Sequence, residues 1–148
     1  MSLSAAPDEL LFVYGTLRRD VGAPAYALFA EHARYLDEGY VSGRMYDLGE
    51  YPGVVLSNQP GDRVFGEIYT LGTPEPTLAL LDRYEGVAGT RGDQPPQYER
   101  LEVPVSSQSH GPATAWIYVY LLAIDDHARI PTGDYLHFLR SNPGCLAP

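Results

Sequence analysis

Apolar residues occur along this chain in short runs whose spacing is typical of strands. The most pronounced run is Ala113 to Leu122, where aromatic and aliphatic residues alternate so that both faces are apolar. A strand with two apolar faces is buried on both sides, so we expect it near the centre of a sheet. Leu10 to Val13 is a second apolar run, which Gly15 ends abruptly. Tyr98 to Val105 alternates between apolar and polar residues and reads as a half-exposed strand.

Shorter strand signals lie between these segments. The pattern predicts strands at Tyr40 to Tyr46, Val54 to Leu56 and Val64 to Tyr69. Pro52-Gly53 and the segment from Ser57 to Asp62 separate them with residues that favour turns.

Helical spacing predicts two longer helices and a short one. The first covers Ala23 to Arg34, and the second begins at Thr73, whose hydroxyl suits the N-cap, and stops before Gly86. A short helix through Arg140 follows the capping segment Thr132 to Asp134. Few helices among many short strands indicate an α+β fold built on a curled sheet, and the pattern does not distinguish a barrel from an open sheet.

Length and composition fit one globular domain over residues 1–148. The chain has 148 residues, of which 45% are hydrophobic, enough to bury a substantial core. Met1 to Glu9 lacks the charged region and apolar run of a secretory signal, and we expect it to form a flexible tail. No stretch of the sequence is apolar for long enough to cross a bilayer, so we expect no membrane association.

The charged residues and the cysteine exclude several classes of function. The net charge is −9 at pH 7 and no basic stripe is present, so we expect no nucleic-acid partner. The chain contains no lysine, which excludes Schiff-base chemistry and a P-loop. Its one cysteine, Cys145, excludes an intrachain disulfide and is consistent with a reducing cytoplasm.

Two segments are candidates for chemistry. Gly15 follows a buried strand, where backbone N–H groups can hold a carboxylate or a carbonyl oxygen and no Cβ obstructs the ligand. Glu85 falls at the C-terminal end of the Thr73 helix, where the helix dipole disfavours an ionised carboxylate and so suits a proton shuttle. Each also has a common structural interpretation, as a strand-to-loop transition and as a surface glutamate. The four histidines lack ligand spacing, so we expect neither a metal nor a cofactor.

Taken together, these two segments resemble the γ-glutamylcyclotransferase-like family, which includes γ-glutamylamine cyclotransferase and AIG2-like members. The family's Tyr-Gly-Ser/Thr-Leu motif matches Tyr14 to Leu17, and its catalytic acid lies in an Asp-x-x-Glu-Gly context, as Asp82, Glu85 and Gly86 do here. Other matching segments follow in order and extend the resemblance over most of the chain: Tyr51 to Gly53, Gly66 to Tyr69, Tyr98 to Arg100 and Ala115 to Tyr120.

The resemblance implies a small mixed β-barrel flanked by short helices, and an enzyme that acts on a small-molecule γ-glutamyl substrate. In the implied reaction the α-amine of the γ-glutamyl group attacks its own γ-carbonyl, which closes 5-oxoproline and expels an amine or peptide. Glu85 would serve first as general base and then as general acid. The candidate substrate-binding residues are Tyr14, Gly15, Thr16, Leu17, Tyr98 and Tyr120.

Two hypotheses of function stay open at this point. One is a cyclotransferase, and the other is a non-catalytic module that keeps the fold and binds a small metabolite. Glu85 favours the first, because a module that binds an anion gains nothing from a nearby carboxylate. Of the other charged residues, Arg18 is interpreted as a solvated loop residue more readily than as a substrate ligand, and Glu67 as solvent-facing or paired. Neither the leaving group nor the oligomeric state follows from the sequence.

Overall fold

Seven strands and three helices make up the part of the chain that a computed structural model describes, residues 9–15, 17–19, 25–49, 51–72, 74–85 and 97–141. The strands are β1 (Glu9–Val13), β2 (Ala33–Asp47), β3 (Pro52–Leu56), β4 (Arg63–Leu71), β5 (Tyr98–Ser107), β6 (Gly111–Tyr120) and β7 (Ala128–Ile130). The helices are α1 (Ala25–Ala30), α2 (Pro74–Glu85) and α3 (Tyr135–Ser141).

Five of these strands close into a barrel in the order β2, β4, β1, β6 and β5. Neighbouring strands of the barrel are antiparallel except for β1 and β6, which run parallel with Leu11 opposite Trp116. Gly39 and Tyr40 of β2 lie opposite Ser107 and Ser106 of β5, and this pairing closes the barrel. The mixed β-barrel expected from the family resemblance is therefore confirmed.

Closure depends on the length and bending of β2. This strand has 15 residues and pairs with β4 along its first part and with β3 and β7 near its end. Its register against β4 shifts between Tyr35 and Asp37, which marks a bulge. A Cβ at Gly39 would lie 2.5 Å from the carbonyl oxygen of Ser106, so a glycine is needed for β2 to approach β5 this closely.

The barrel wall separates two apolar clusters. In β1, Phe12 belongs to the cluster enclosed by the barrel, whereas Leu11 and Val13 belong to a second cluster. That second cluster includes Phe29 of α1 and Leu78 of α2, so the two helices cover the outer face of β1. Because both faces of β1 are covered, its apolar run is uninterrupted by polar residues. Strand β6 likewise contributes to both clusters and lies between β1 and β5, as predicted for a central strand.

The helix predicted from Ala23 to Arg34 is wrong in its C-terminal part. Helix α1 ends at Ala30, and Ala33 is already the first residue of β2. Ala33 pairs with Leu71 of β4, and this long-range backbone pairing overrides the local helical spacing. For the same reason the strand predicted from Tyr40 to Tyr46 is too short at its beginning.

The other two helices are confirmed. Helix α2 covers Pro74–Glu85, and Thr73, its expected N-cap, lies outside the described residues. Helix α3 is capped by Asp134, whose Oδ1 accepts the backbone N–H groups of Leu136 at 3.1 Å and His137 at 3.3 Å.

Several sequence-based expectations concern parts of the chain outside the described residues: residues 1–8 of the tail, Thr16, Gly86, the loop residues 87–96 and Cys145. The predicted tail is one residue too long, because Glu9 is the first residue of β1. Within the described ranges, no helix has the length and apolar character needed to span a membrane.

Candidate active site

A cavity of about 300 Å³ lies where β1 and α2 end, and it joins the two segments that the sequence singles out. Its lining residues are Phe12, Val13, Tyr14, Gly15, Leu17, Tyr51, Pro52, Tyr84, Glu85, Gln97, Tyr98 and Tyr118. Five of the predicted site residues are therefore in the wall, namely Tyr14, Gly15, Leu17, Glu85 and Tyr98. Thr16 lies outside the described residues.

Gly15 begins a tight turn at one side of the cavity. Its carbonyl oxygen accepts the backbone N–H of Arg18 at 2.9 Å. Gly15 is not among the described glycines with a positive φ, so its backbone conformation does not require glycine. A Cβ there would lie 2.7 Å from Cγ of Pro52, and this close packing is the physical reason for the glycine.

Glu67 anchors this turn from the neighbouring strand β4. The side chain is completely buried, and its Oε1 accepts the backbone N–H of Arg19 at 3.1 Å and the hydroxyl of Tyr69 at 2.8 Å. A buried carboxylate needs such donors, and here one of them belongs to the turn itself. Of the two readings offered for Glu67, the paired one is confirmed and the solvent-facing one is wrong.

Arg18 belongs to the same buried network, so its interpretation as a solvated loop residue is wrong. Its side chain is 4% exposed and donates from Nη1 to Oδ1 of Asp134 at 3.0 Å, with Nε 3.5 Å from Oε2 of Glu67. The charge of Arg18 is thus satisfied within the protein rather than directed to a ligand. Because Asp134 also caps α3, the network joins the turn to β4 and to that helix.

Glu85 is the last residue of α2, and the preceding turn of this helix is tied to the barrel. Arg100 of β5 donates from Nε and Nη2 to Asp82 at 2.7 and 3.1 Å, and the hydroxyl of Tyr118 donates to the same carboxylate at 2.7 Å. The Arg100 guanidinium also lies 4.4 Å from the ring centroid of Trp116. Asp82 precedes Glu85 by three residues, so this bidentate pair fixes the helix end that carries Glu85.

Three phenol hydroxyls in the wall are occupied by the protein. Tyr14 donates to the carbonyl oxygen of Tyr118 at 2.6 Å, Tyr98 donates to that of Pro52 at 3.0 Å, and Tyr118 donates to Asp82. Burial raises the pKa of Tyr14 well above its usual value, and the charge of Glu85 raises it further. Burial also raises the pKa values of Tyr98 and Tyr118. These side chains therefore stay neutral and present ring surface to the cavity.

Tyr120 does not belong to the cavity wall, in contrast to its assignment as a substrate-binding residue. Its ring contacts that of Tyr98, with the ring centroids 5.4 Å apart in an edge-on arrangement. The backbone alternation of β6 places it on the same face as Tyr118, but one pair of residues further along the strand. Its contact with the cavity is therefore indirect, through the position of the Tyr98 ring.

Sequence reasoning did not assign four polar residues of the wall to the site, and two of them contact each other: Tyr51, Tyr84, Gln97 and Tyr118. The hydroxyl of Tyr51 donates to Oε1 of Gln97 at 3.1 Å, and both residues line the cavity. Tyr51 precedes β3 and Gln97 precedes β5, so only the folded barrel brings them together. The only sequence feature that pointed to Tyr51 is its place in a segment that matches the family. No sequence feature pointed to Gln97.

The described wall contains one ionisable carboxyl, Glu85, and no arginine or histidine. Among the described residues, no group of histidine, cysteine, aspartate and glutamate side chains is arranged to hold a metal ion. A single carboxyl among aromatic rings, beside the turn that begins at Gly15, is suited to proton transfer on a small polar ligand.

Comparison with known proteins identifies similar chains. The family model described as Gamma-glutamyl cyclotransferase, AIG2-like matches residues 11–137. A protein of Vibrio cholerae serotype O1, provisionally named a gamma-glutamylcyclotransferase, is 36% identical over 132 residues, which cover 86% of this chain and 96% of that protein. Escherichia coli K12 YtfP, named a gamma-glutamylcyclotransferase family protein, is 33% identical over 129 residues, or 85% of this chain and 95% of its own.

Solved structures show the same fold. The solution structure of ytfP from Escherichia coli superposes with a TM-score of 0.59 at 32% identity and covers 86% of this chain and 96% of that one. The crystal structure of an AIG2-like protein from Mus musculus superposes with a TM-score of 0.64 at 23% identity and covers 82% of each chain.

Proposed function

Because the chain belongs to the gamma-glutamyl cyclotransferase, AIG2-like family, we propose that it releases 5-oxoproline and an amine or peptide from a γ-glutamyl substrate. The observation that carries this proposal is that Glu85 and the turn beginning at Gly15 line one cavity. The cavity holds a carboxyl for proton transfer. The backbone of the turn would supply donors for oxygen atoms, and the intramolecular reaction needs both.

The turn after β1 supplies the donors. Backbone N–H groups near Gly15 and Leu17 would hold the glutamyl group and polarise its γ-carbonyl oxygen, where negative charge develops during the attack. Glu67 and Arg18 hold the turn in place before substrate arrives, so these donors need no rearrangement. The apolar rings around them would exclude water from the folded substrate.

Glu85 transfers the protons. The substrate's α-ammonium first loses a proton to the Glu85 carboxylate, and the resulting amine attacks the γ-carbonyl carbon to form the lactam C–N bond. Glu85 then protonates the departing nitrogen, the original C–N bond breaks, and the lactam nitrogen gives up its extra proton to the regenerated carboxylate. That proton passes to the released amine, which leaves as an ammonium ion, and Glu85 is again ionised. One carboxyl thus serves as base and acid in turn.

No covalent intermediate is required in this scheme. Nucleophile and electrophile belong to the same molecule, so the protein has only to fold the substrate and move protons. This agrees with a described wall that contains no serine, cysteine or lysine side chain to act as a nucleophile.

Product analysis tests the proposal. Purified protein is incubated with a panel of γ-glutamyl amines and peptides in ¹⁸O-labelled water, and the products are identified by mass spectrometry. We expect 5-oxoproline without ¹⁸O and without glutamate. A substrate acetylated on its α-amine should be inert, because its nucleophile is blocked.

Two outcomes would overturn the proposal. Glutamate carrying ¹⁸O, or N-acetylglutamate from the acetylated substrate, would mean hydrolysis by water. No turnover across the panel, with binding retained, would instead favour a non-catalytic module.

A further inference from the structure

A γ-glutamyl substrate brings a second charge into the cavity that the proposed chemistry does not use. Its α-carboxylate lies on the same carbon as the α-ammonium, so it must enter the site close to Glu85. The described lining residues offer it no cationic side chain. Its binding therefore depends on neutral N–H donors.

The arginines near the cavity are already committed to carboxylates of the protein. Arg18 contacts Glu67 and Asp134, and Arg100 makes its bidentate pair with Asp82. If either guanidinium turned to bind a ligand, a largely buried carboxylate would lose its charged partner, and the protein would be destabilised. Neither residue lines the cavity.

Gln97 provides donors of the required kind. Gln97 lines the cavity, and its Oε1 accepts the hydroxyl of Tyr51 at 3.1 Å. With the acceptor end of the amide held, the end that carries two N–H donors is the one available to a ligand. The backbone here is also fixed, since the carbonyl of Gln97 accepts the N–H of Leu121 at 2.9 Å and the next residue, Tyr98, is buried.

We infer that Gln97, oriented by Tyr51, binds the substrate's α-carboxylate through its side-chain amide. The inference rests on the proposed function and extends it by assigning the second charged group of the substrate. Glu85 then receives the α-ammonium and Gln97 the α-carboxylate, while the turn at Gly15 receives the γ-carbonyl. With the three groups of the substrate bound in this way, the site favours γ-glutamyl compounds over 4-aminobutanamides, which have the amine and the amide but no α-carboxylate.

A pair of substrates that differ only in the α-carboxylate tests the assignment. One is a γ-glutamyl amine, and the other is the matching N-substituted 4-aminobutanamide, which closes to 2-pyrrolidinone by the same attack. Gln97→Glu is nearly isosteric but places a negative charge against the carboxylate. We expect it to raise KM for the glutamyl substrate by at least tenfold with kcat within about threefold. It should not raise KM for the 4-aminobutanamide, because the new carboxylate attracts the ammonium of that substrate and meets no carboxylate.

Two further variants sharpen the result. Tyr51→Phe removes the hydroxyl that orients the amide and should raise KM for the glutamyl substrate alone, by less than Gln97→Glu does. Gln59→Glu places the same charge change on an exposed residue of the β3–β4 connection and should behave as the wild type. Unchanged kinetics in Gln97→Glu, or an equal loss on both substrates, would overturn the inference.

A binding measurement separates failure of this inference from failure of the proposed function. If the wild type forms no 5-oxoproline, calorimetry compares L-glutamine, which is itself a γ-amide with an α-carboxylate, with 4-aminobutanamide. Tighter binding of L-glutamine that Gln97→Glu weakens at least tenfold supports the inference without any turnover. Equal affinities for the two ligands, or no binding of either, count against it.

Discussion

At the scale of single residues, the cavity combines one carboxyl with rings whose hydroxyls are used elsewhere. Tyr14, Tyr98 and Tyr118 donate into the protein, and the pKa values of their phenols are raised, principally by burial. They are therefore poor proton acceptors near neutral pH. Proton transfer in the proposed reaction falls to Glu85.

Glu85→Gln tests this role directly. The variant keeps the size of the side chain and the end of α2 but cannot accept a proton from the α-ammonium. We expect kcat to fall by about 10²–10⁴-fold with little change in KM, as for other general acid–base residues. Steady-state kinetics on the preferred γ-glutamyl amine measures both kcat and KM.

The matched control is Glu75→Gln, an exposed glutamate in the first turn of the same helix. It should retain wild-type kcat. A folded Glu85→Gln protein with more than about a tenth of wild-type kcat would contradict the assigned role.

At the scale of elements, the position of Glu85 depends on how α2 is held against the barrel. The pair between Asp82 and Arg100 joins the last turns of α2 to β5, and Tyr118 of β6 contacts the same carboxylate. On the other side of the cavity, Glu67 of β4 holds the turn that follows β1. The two halves of the site are thus attached to different strands of one closed barrel.

Asp82→Asn should loosen the helix and lower turnover together. Arg100 loses its charged partner while the hydroxyl of Tyr118 keeps an acceptor. We expect the free energy of unfolding to fall by about 2 kcal/mol, the size of a hydrogen-bonded charged interaction. We also expect kcat to fall more than KM rises, because Glu85 is displaced and the turn at Gly15 is not. Urea unfolding and kinetics measure the two effects.

Asp126→Asn, in the exposed turn after β6, is the comparison and should change neither quantity. An Asp82→Asn protein as stable and as active as the wild type would mean that packing of Leu78 and Leu81 suffices to place the helix end.

At the scale of the whole molecule, carboxylates away from the cavity connect the strands. Asp37, next to the bulge in β2, accepts a hydrogen bond from Ser107 and the N–H of Ser109 in the β5–β6 hairpin. Asp62 accepts from Ser57 and pairs with Arg44 of β2 at 2.6 Å. The serine hydrogen bonds are the main cause that holds the pKa values of both aspartates well below their usual range.

These shifts predict loss of stability in acid. A carboxyl whose pKa is lower in the folded than in the unfolded state stabilises the fold above the unfolded-state value of about 3.9. That contribution is lost as the pH falls below this value. We therefore expect the urea midpoint to decrease from pH 6 to pH 3, and to decrease less in the double variant Asp37→Asn, Asp62→Asn.

The quantity to compare is the slope of the urea midpoint against pH, since the double variant will be less stable at neutral pH as well. Asp126→Asn should keep the full wild-type slope. A double variant whose midpoint changes with pH as steeply as that of the wild type would show that other groups govern acid unfolding.

The sequence was informative where structure is local. Helix α2 could be predicted because its sequence signals, including its apolar periodicity, lie within one segment, and motif spacing pointed to Gly15 and Glu85. The start of β2 at Ala33 could not be predicted, because its pairing with Leu71 competes with local helical spacing. Arg18 was misread for a similar reason, since its partner Asp134 is far away in sequence.

The pair formed by Tyr51 and Gln97 could not be predicted from the sequence either. Tyr51 and Gln97 precede different strands, and neither lies in a pattern that points to the other. Only closure of the barrel makes them neighbours. Tyr120, by contrast, was a candidate because it lies in an aromatic segment. Its position along β6 determines that Tyr118, and not Tyr120, lines the cavity.

The parallel pairing of β1 with β6 has a consequence for how the protein is made. Strand β1 is synthesised early, yet its place is between β4 and β6, with Leu11 opposite Trp116. During translation β1 can pair with β4 once that strand has emerged, but its other edge stays uncovered until β6 has left the ribosome. Barrel closure also joins β2 to β5 across a large part of the sequence, which is typical of slow folding. The nascent chain therefore exposes one unpaired edge of an apolar strand until β6 is made, and we expect mispairing to be most frequent at this edge.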